Sequence, residues 1–305
     1  MERIQVPPAV GRAVWELVEQ LKNLILLTYA DVSAVNPTAM NPWRLEQLWR
    51  IYLCAYRELT RDLDADRVAA QPERSPELAA FLEGVPKRYL RIHTEDRIQA
   101  HLELERLSRE LGAAVAIRKL NGVYSAEIVA QDRPGLFASI AGALSSFGMN
   151  ILKAEAFANR QGKIVDTFVF ADSGRNLELN PTEVDRLRLT IERVLLGRVD
   201  VKDLLRNRPK PSPPSKNAAI RSSVSFDSEA STASTLVEIV AQDRPGLLYD
   251  LAGQISAAGC NIEVVLIDTE AHKALDVFYV TFQGKKLPPQ LQERLQENLL
   301  KACGV

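Results

Sequence analysis

The chain has 305 residues, 46% hydrophobic and 25% charged, with a formal net charge of −1. That is the profile of a soluble globular protein of two or three domains, with no electrostatic pull on nucleic acid or an anionic membrane surface. Cys54, Cys260 and Cys303 lie far apart with no CxxC pair, MERIQVPPAV carries no secretory signal and LILLTYA is too short to span a bilayer, so the expectation is a cytoplasmic protein without a disulfide framework.

Residues 13–63 read as helices. Trp15, Val18, Leu21 and Ile25 recur at spacings of three and four, the stripe of an amphipathic helix. After VNPTAMNP a second helix carries Leu45, Leu48, Tyr52 and Leu59. Residues 62–86 are charged and broken by Pro72, Pro76 and Gly84. HTEDRIQAHLELERLSRELG predicts a third helix, capped by Thr94 and stopped by Gly112, with Ala100, Leu104, Leu107 and Leu111 on one face.

From AVAIRKL and YSAEIVAQ onward the pattern alternates apolar and polar residues, as half-buried strands do. A turn, DRPG, leads into a helix with Leu136, Ile140 and Leu144 on one face. FGMNILKAEAFANRQGKIVDTFVF reads as two strands, and a helix from Thr182 to Leu196 carries Val184, Leu187, Ile191 and Val194. The order is β-α-β-β-α. Residues 206–222 are rich in Pro, Ser and Lys and read as a linker.

The order then repeats. EIVAQDRPGL, Glu127 to Leu136, recurs letter for letter from Glu238 to Leu247, 111 positions on. Leu247, Leu251 and Ile255 mark a helix, CNIEVVLIDT and ALDVFYVTF two strands, and Leu291, Leu295 and Leu299 a last helix. In this register Asn150 matches Asn261, and with a one-residue gap Asp166 matches Asp276. A whole domain of roughly 70–80 residues is duplicated, a size that folds alone only marginally. Helices on one face of each sheet leave an opposite apolar face, with Phe168 and Phe278 on its strands, to be covered by the other repeat or a second molecule.

In each DRPGL a strand gives way to a helix within four residues. Asp132 and Asp243 stand where an N-cap belongs, and proline suits a first helical turn. Glycine permits close approach, and the helix N-terminus favours an anion such as a carboxylate. The plain alternative is that Asp, Pro and Gly serve the shape of the turn alone. Asn150 and Asn261 open the second strand, where an amide faces a small ligand or satisfies a turn; Asp166 and Asp276 read as solvated strand charges. No phosphate-binding loop, nucleophile elbow or HExxH motif occurs, and His93, His101 and His272 are isolated, so no metal centre or complete catalytic site is read.

A β-α-β-β-α domain with DRPGL in its first turn and GxNI before its second strand resembles the ACT domain, a module that commonly binds amino acids to regulate enzymes. Two in tandem, with VSFDSEAS before the second, DRPGLLYDLA and ALDVFYVTFQGKKL, closely resemble the bifunctional uridylyltransferase/uridylyl-removing enzyme that modifies the PII signalling protein in bacterial nitrogen control. LILLTYADVSAVNPTAMNPWRLEQLWRIYL is similar to the end of that family's HD hydrolase domain, and VPKRYLRIHTEDRIQAHLEL to its helical connector.

The resemblance implies an α+β fold: residues 1–112 a helical segment, 113–205 a first ferredoxin-like ACT domain, 206–222 a linker and 223–305 a second ACT domain. It implies the regulatory half of the enzyme, with glutamine as effector and allosteric control of catalysis, but neither the nucleotidyltransferase domain nor the HD phosphodiester hydrolase ligands appear. Asp31 matches the last HD aspartate without its partners, so magnesium or another divalent metal is expected only with catalytic domains that this sequence does not contain. The implied effector residues are Asp132, Arg133, Gly135, Leu136 and Asn150 in one repeat and Asp243, Arg244, Gly246, Leu247 and Asn261 in the other. Amides at Gly135–Leu136 and Gly246–Leu247 would take the effector carboxylate, and the aspartate or asparagine its amine; Arg133 and Arg244 are either ligands or solvated turn residues. Expected partners are a catalytic uridylyltransferase chain, the PII protein and a pairing surface. The alternatives are a subunit of an active enzyme, with Asp31 completing a split site, and a non-binding interaction module.

Overall fold

A computed structural model describes residues 8–35, 40, 44–45, 47–48, 51–52, 55, 67–69, 74–120, 122–172, 174–206, 220–231, 233–270 and 273–304. It divides into two compact units, Met1–Arg67 with Pro86–Thr94, and Val68–Val85 with Glu95–Val305. The first unit contains α1 (Pro8–Val35), on which Asp31 is exposed and Leu24 and Leu27 are 58% and 61% exposed. The side chain of Trp15 lies outside the described residues, as do Leu59 of the second expected helix, Cys54 and His272; residues 44–45, 47–48, 51–52 and 55 of that helix are helical. The second unit begins with α2 (Pro76–Leu82), whose N-cap Ser75 accepts from the Leu78 amide. A short α3 (Tyr89–Ile92) belongs to the first unit, where the ring of His93 meets the buried Tyr89 edge-on at 4.7 Å.

The connector helix α4 (Glu95–Leu111) has Glu95 and Asp96 in its first turn and Arg109 in its last, complementing its dipole. Gly112 ends it at φ +87°. Its buried face is Ile98, His101, Leu102, Glu105 and Ser108, joined by Leu104, while Leu107 and Leu111 are 48% and 60% exposed. The face expected from the leucines is therefore rotated.

The first repeat is β1 (Ala113–Leu120), β2 (Val123–Gln131), α5 (Leu136–Ser146), β3 (Asn150–Ala158), β4 (Lys163–Ala171), α6 (Asn176–Leu179), α7 (Thr182–Leu195) and α8 (Val201–Arg206). The second is β5 (Ser223–Asp227), β6 (Thr235–Gln242), α9 (Leu247–Ala257), β7 (Cys260–Glu270), β8 (Lys273–Phe282) and α10 (Pro289–Ala302). Each contains β-α-β-β-α, as expected, with a strand added in front. For the second repeat that strand, SVSFD, carries too few apolar residues to be read from sequence, and only Val224 in it is buried.

The eight strands form one antiparallel sheet, ordered β1-β2-β4-β3-β7-β8-β6-β5. The repeats join edge to edge through β3 and β7: Lys153 faces Asp268, Glu155 faces Leu266 and Phe157 faces Val264. Glu155 and Leu266 are 111 positions apart and so equivalent, which makes the junction two-fold symmetric about them. A bulge follows the same symmetry, falling between Ile151 and Lys153 in β3 and between Ile262 and Val264 in β7.

Helices α5, α7, α9 and α10 share one face and one core with Ile128, Phe168, Ile239 and Phe278 of the strands. Phe168 and Phe278 are fully buried there, and Phe137 stacks on Phe168 at 5.0 Å. These phenylalanines thus point to the helices rather than to the opposite face as expected, a one-residue parity that flips every side chain. On the opposite face of the first repeat, Ser125, Glu127 and Val129 are buried and Arg97 of α4 pairs with Glu127. Across the junction α5 meets α9 at Gly142, where a Cβ would lie 2.4 Å from Val201 Cγ1 and 2.7 Å from Tyr249 Cδ2.

Candidate functional site

The repeated turn is built around glycine. Gly135 at φ +75° and Gly246 at φ +84° are the N-caps of α5 and α9, a left-handed conformation cheap only without a Cβ. Asp132 and Asp243 therefore stand three residues ahead of the N-cap, and the prolines precede it; the expectation that they cap and open the helix is corrected. The Asp132 carboxylate accepts from the Arg133 amide, and the Asp132 amide donates to Gly162 O at 2.7 Å.

The Leu136 amide donates to Arg133 O and the Leu247 amide to Arg244 O, each at 3.1 Å. These two amides, one of each expected pair, are engaged within the turn. The first bonds of each helix come from Ser139 to Gly135 O and from Asp250 to Gly246 O. Phe137 and Ala138, and likewise Leu248 and Tyr249, are then the amides with no intrahelical acceptor.

The arginines have a structural task. Arg133 Nη2 donates to Val194 O at 2.9 Å and Leu195 O at 3.3 Å, at the end of α7. Arg244 Nη2 donates to Ala302 O at 2.8 Å, at the end of α10, and to Asp250 at 2.5 Å. Each places a cation on helix C-terminal carbonyls and fastens turn to helix, so neither is simply solvated.

The turns open onto two pockets at the junction between the repeats. Around the first turn, Asp132 to Phe137 are joined by Ala156, Ile164 and Asp166, and from the other repeat by Cys260, Asn261, Ile262 and Glu263. Around the second, Asp243 to Leu248 meet Ile267, Ala274 and Asp276, with Met149, Asn150 and Ile151 from the first repeat. The asparagines are exchanged: Asn261 serves the first turn and Asn150 the second. The two residues expected together in each repeat are separated because β4 lies between β2 and β3, while the β3–β7 junction carries each asparagine to the other turn.

Asp166 and Asp276 overturn their expectation as solvated charges. Each is 2% exposed, each lines a pocket, and Oδ1 of each has no hydrogen-bond partner. Burial, with Asp132 adding repulsion, holds the Asp166 carboxyl well above the usual range. Burial and then Asp243 push Asp276 up to about 8. Asp132 is raised too, by burial first, against its bond from the Arg133 amide, with Glu263 adding to the rise. A buried carboxyl without a partner destabilises the fold, and such groups concentrate at functional sites. The sequence carried the signal: VDTFVF and LDVFYV put each aspartate two residues from a core phenylalanine, on the same face.

Each pocket thus opposes helix N-terminal amides, suited to an anion, with a buried acid, suited to a cation. A zwitterion fits both. Among the described residues no group of three His, Cys, Asp or Glu side chains is placed to hold a metal, and no helix is long and apolar enough to cross a membrane.

Comparison with known proteins bears on both parts of the chain. The ACT domain family matches residues 124–180, the core of the first repeat. The bifunctional uridylyltransferase/uridylyl-removing enzyme of a Bradyrhizobium species is 32% identical over 287 residues, covering 88% of this chain and 31% of that protein. Those of Caulobacter vibrioides and Phenylobacterium zucineum are 31% and 33% identical, each over 93% of this chain and 32% of the relative. The chain spans about a third of the length of these relatives. Among solved structures, aspartate kinase from Synechocystis is 18% identical, covering 60% of this chain and 27% of its own at a TM-score of 0.34, a likeness too slight to inform the fold. Along nearly its whole length, then, the chain belongs with the C-terminal, ACT-containing region of the bifunctional uridylyltransferase/uridylyl-removing enzyme family.

Proposed function

We propose that the two junction pockets bind a free α-amino acid and that glutamine is the effector, making this the sensing part of a uridylyltransferase/uridylyl-removing enzyme. The observation that carries the reading is the pair of buried carboxyls of Asp166 and Asp276, Oδ1 of each without a hydrogen-bond partner, each lining a pocket with a turn whose Phe137 or Leu248 amide has no intrahelical acceptor. The ligand carboxylate sits on the Phe137 and Ala138 amides, or those of Leu248 and Tyr249. Its ammonium displaces the proton from Asp166 or Asp276 and makes an ion pair there. Because each ligand touches both repeats, it stabilises one arrangement of the junction over others by its difference in affinity for them. Control is exerted on the catalytic region, joined to this chain or supplied by a partner, that acts on the PII protein.

Isothermal titration of the folded chain with glutamine, with glutamate and asparagine alongside, tests this. Saturable binding that Asp166→Asn and Asp276→Asn each weaken at least about tenfold at one pocket is the expected result. A folded chain that takes up none of the three amino acids would sink the reading.

A further inference from the structure

The two pockets are built on one decapeptide but walled by different charges. At the first turn three carboxylates converge: Asp132, Asp166 on β4 and Glu263 on β7. Glu263 is the residue of the β7 bulge, so its side chain leaves the regular alternation of the strand. It is held there: its Oε1 accepts from Asn261 Nδ2 and from Thr281 Oγ1, each at 3.0 Å. Arg133, also in the wall, donates from Nη2 to the carbonyls of Val194 and Leu195.

The second pocket lacks this arrangement. The equivalent bulge residue in β3 is Leu152, between Ile151 and Lys153. Where Asn261 faces Thr281 across the strands, Asn150 faces Ala171. Among the residues of that wall the acids are Asp243 and Asp276.

We propose that Glu263 is a specificity-determining residue of the first-turn pocket: it selects amino acids whose side chains are neutral hydrogen-bond donors or cations and rejects those carrying a second carboxylate. The second-turn pocket, with Leu152 at the equivalent position, makes no such distinction. The α-ammonium compensates the buried aspartate, and the α-carboxylate is taken by the helix amides. A side-chain amide then donates to Glu263, whereas a side-chain carboxylate in that place meets the like charge of Glu263. This deepens the amino-acid reading and rests on it.

The test titrates the full chain with L-glutamine and L-glutamate near pH 7.5. Asp276→Asn weakens the second pocket so that the first dominates the titration. In that background glutamine should bind at least about tenfold tighter than glutamate. Adding Glu263→Gln, or Glu263→Leu to copy the other repeat, should bring the two affinities to within about twofold, chiefly by raising that of glutamate. In an Asp166→Asn background, where the second pocket dominates, the same changes should leave both affinities as they were. Circular dichroism and melting confirm that each variant is folded. A ratio unmoved by both Glu263 variants overturns this inference while leaving amino-acid binding standing. Loss of both ligands from both folded variants overturns it too, since Glu263 would then only shape the wall. No binding of either amino acid by the unsubstituted chain overturns the amino-acid reading and this inference together.

Discussion

In the first repeat Glu127 lies 1% exposed beneath α4, paired with Arg97 and, at 3.8 Å, with Arg118. In the second the same residue of the same decapeptide, Glu238, is half-buried and accepts from Ser225 at 3.1 Å. The hairpin tip of the first repeat is tied down as well. Asn159 Nδ2 donates to Phe81 O at 3.0 Å, the Arg160 amide to Glu83 O at 2.8 Å, and the Arg160 guanidinium pairs with Glu83 at 2.7 Å. Gly162 O of that tip holds the Asp132 amide of the first turn. One side of this tip is thus bound to the C-terminal end of α2 and the other to a pocket turn. Identical residues produce identical strands and turns, while their energetic weight is set by what packs on them.

That comparison can be broken by making the same substitution twice. Glu127→Gln leaves Arg97 without its buried partner and should cost about 2–4 kcal/mol in denaturant unfolding, at the lower end because Arg97 keeps partial access to water. Glu238→Gln should cost less than about 1 kcal/mol. Equal costs would mean that α4 does not bury the first glutamate as described.

The helix glycines offer a second pair. Gly142→Ala puts a methyl into Val201 and Tyr249 and should cost about 1–3 kcal/mol. Gly253, its equivalent in α9, has nothing within 4 Å of a built Cβ, so Gly253→Ala should stabilise the fold through helix propensity by up to about 1 kcal/mol and raise the melting temperature accordingly. A loss at both positions would contradict the asymmetric approach of α5 and α9.

A third test uses pH. Asp276 is raised to about 8 when folded, against about 4 for an unfolded carboxyl. A raised acid stabilises the fold while it holds its proton; that contribution is complete below about pH 4 and is lost as pH climbs through 8. Stability should therefore fall by about 1 kcal/mol between pH 7 and 8 from this group alone, and Asp276→Asn should flatten the fall. The smallest signal should accompany ligand. An ammonium beside Asp276 expels its proton, so titrations at pH 7 in buffers of different ionisation heat should show release approaching one proton at the second pocket. Uptake instead would place the ligand's anion against the aspartate.

Much of the architecture was legible because each repeat carries strong periodicity: Leu187, Ile191 and Val194, or Leu291, Leu295 and Leu299, mark faces that are indeed buried. The connector face was not, because it buries Glu105, His101 and Ser108, and hydrophobic spacing sees only leucines. The turn was located by its letters, but its hydrogen bonds were not, since a left-handed glycine moves the helix start by three residues. The exchange of Asn150 and Asn261 follows from the β3–β7 junction, a long-range pairing that no local pattern encodes. The buried aspartates escape a local reading for a simpler reason: their charge suggests solvent, while strand parity places them on the face of Phe168 and Phe278.

The symmetric seam has a bearing on stoichiometry. Since each cavity takes walls from both repeats, neither repeat alone owns a complete one, and a fragment ending before β5 would carry half of each. Two such halves supplied separately would have to find one another before any ligand could settle, and uptake would depend on the concentration of protein as steeply as on that of ligand. Under the proposed amino-acid binding, holding both halves on a single polypeptide removes that dependence, so that uptake would follow the ligand and not the abundance of the protein.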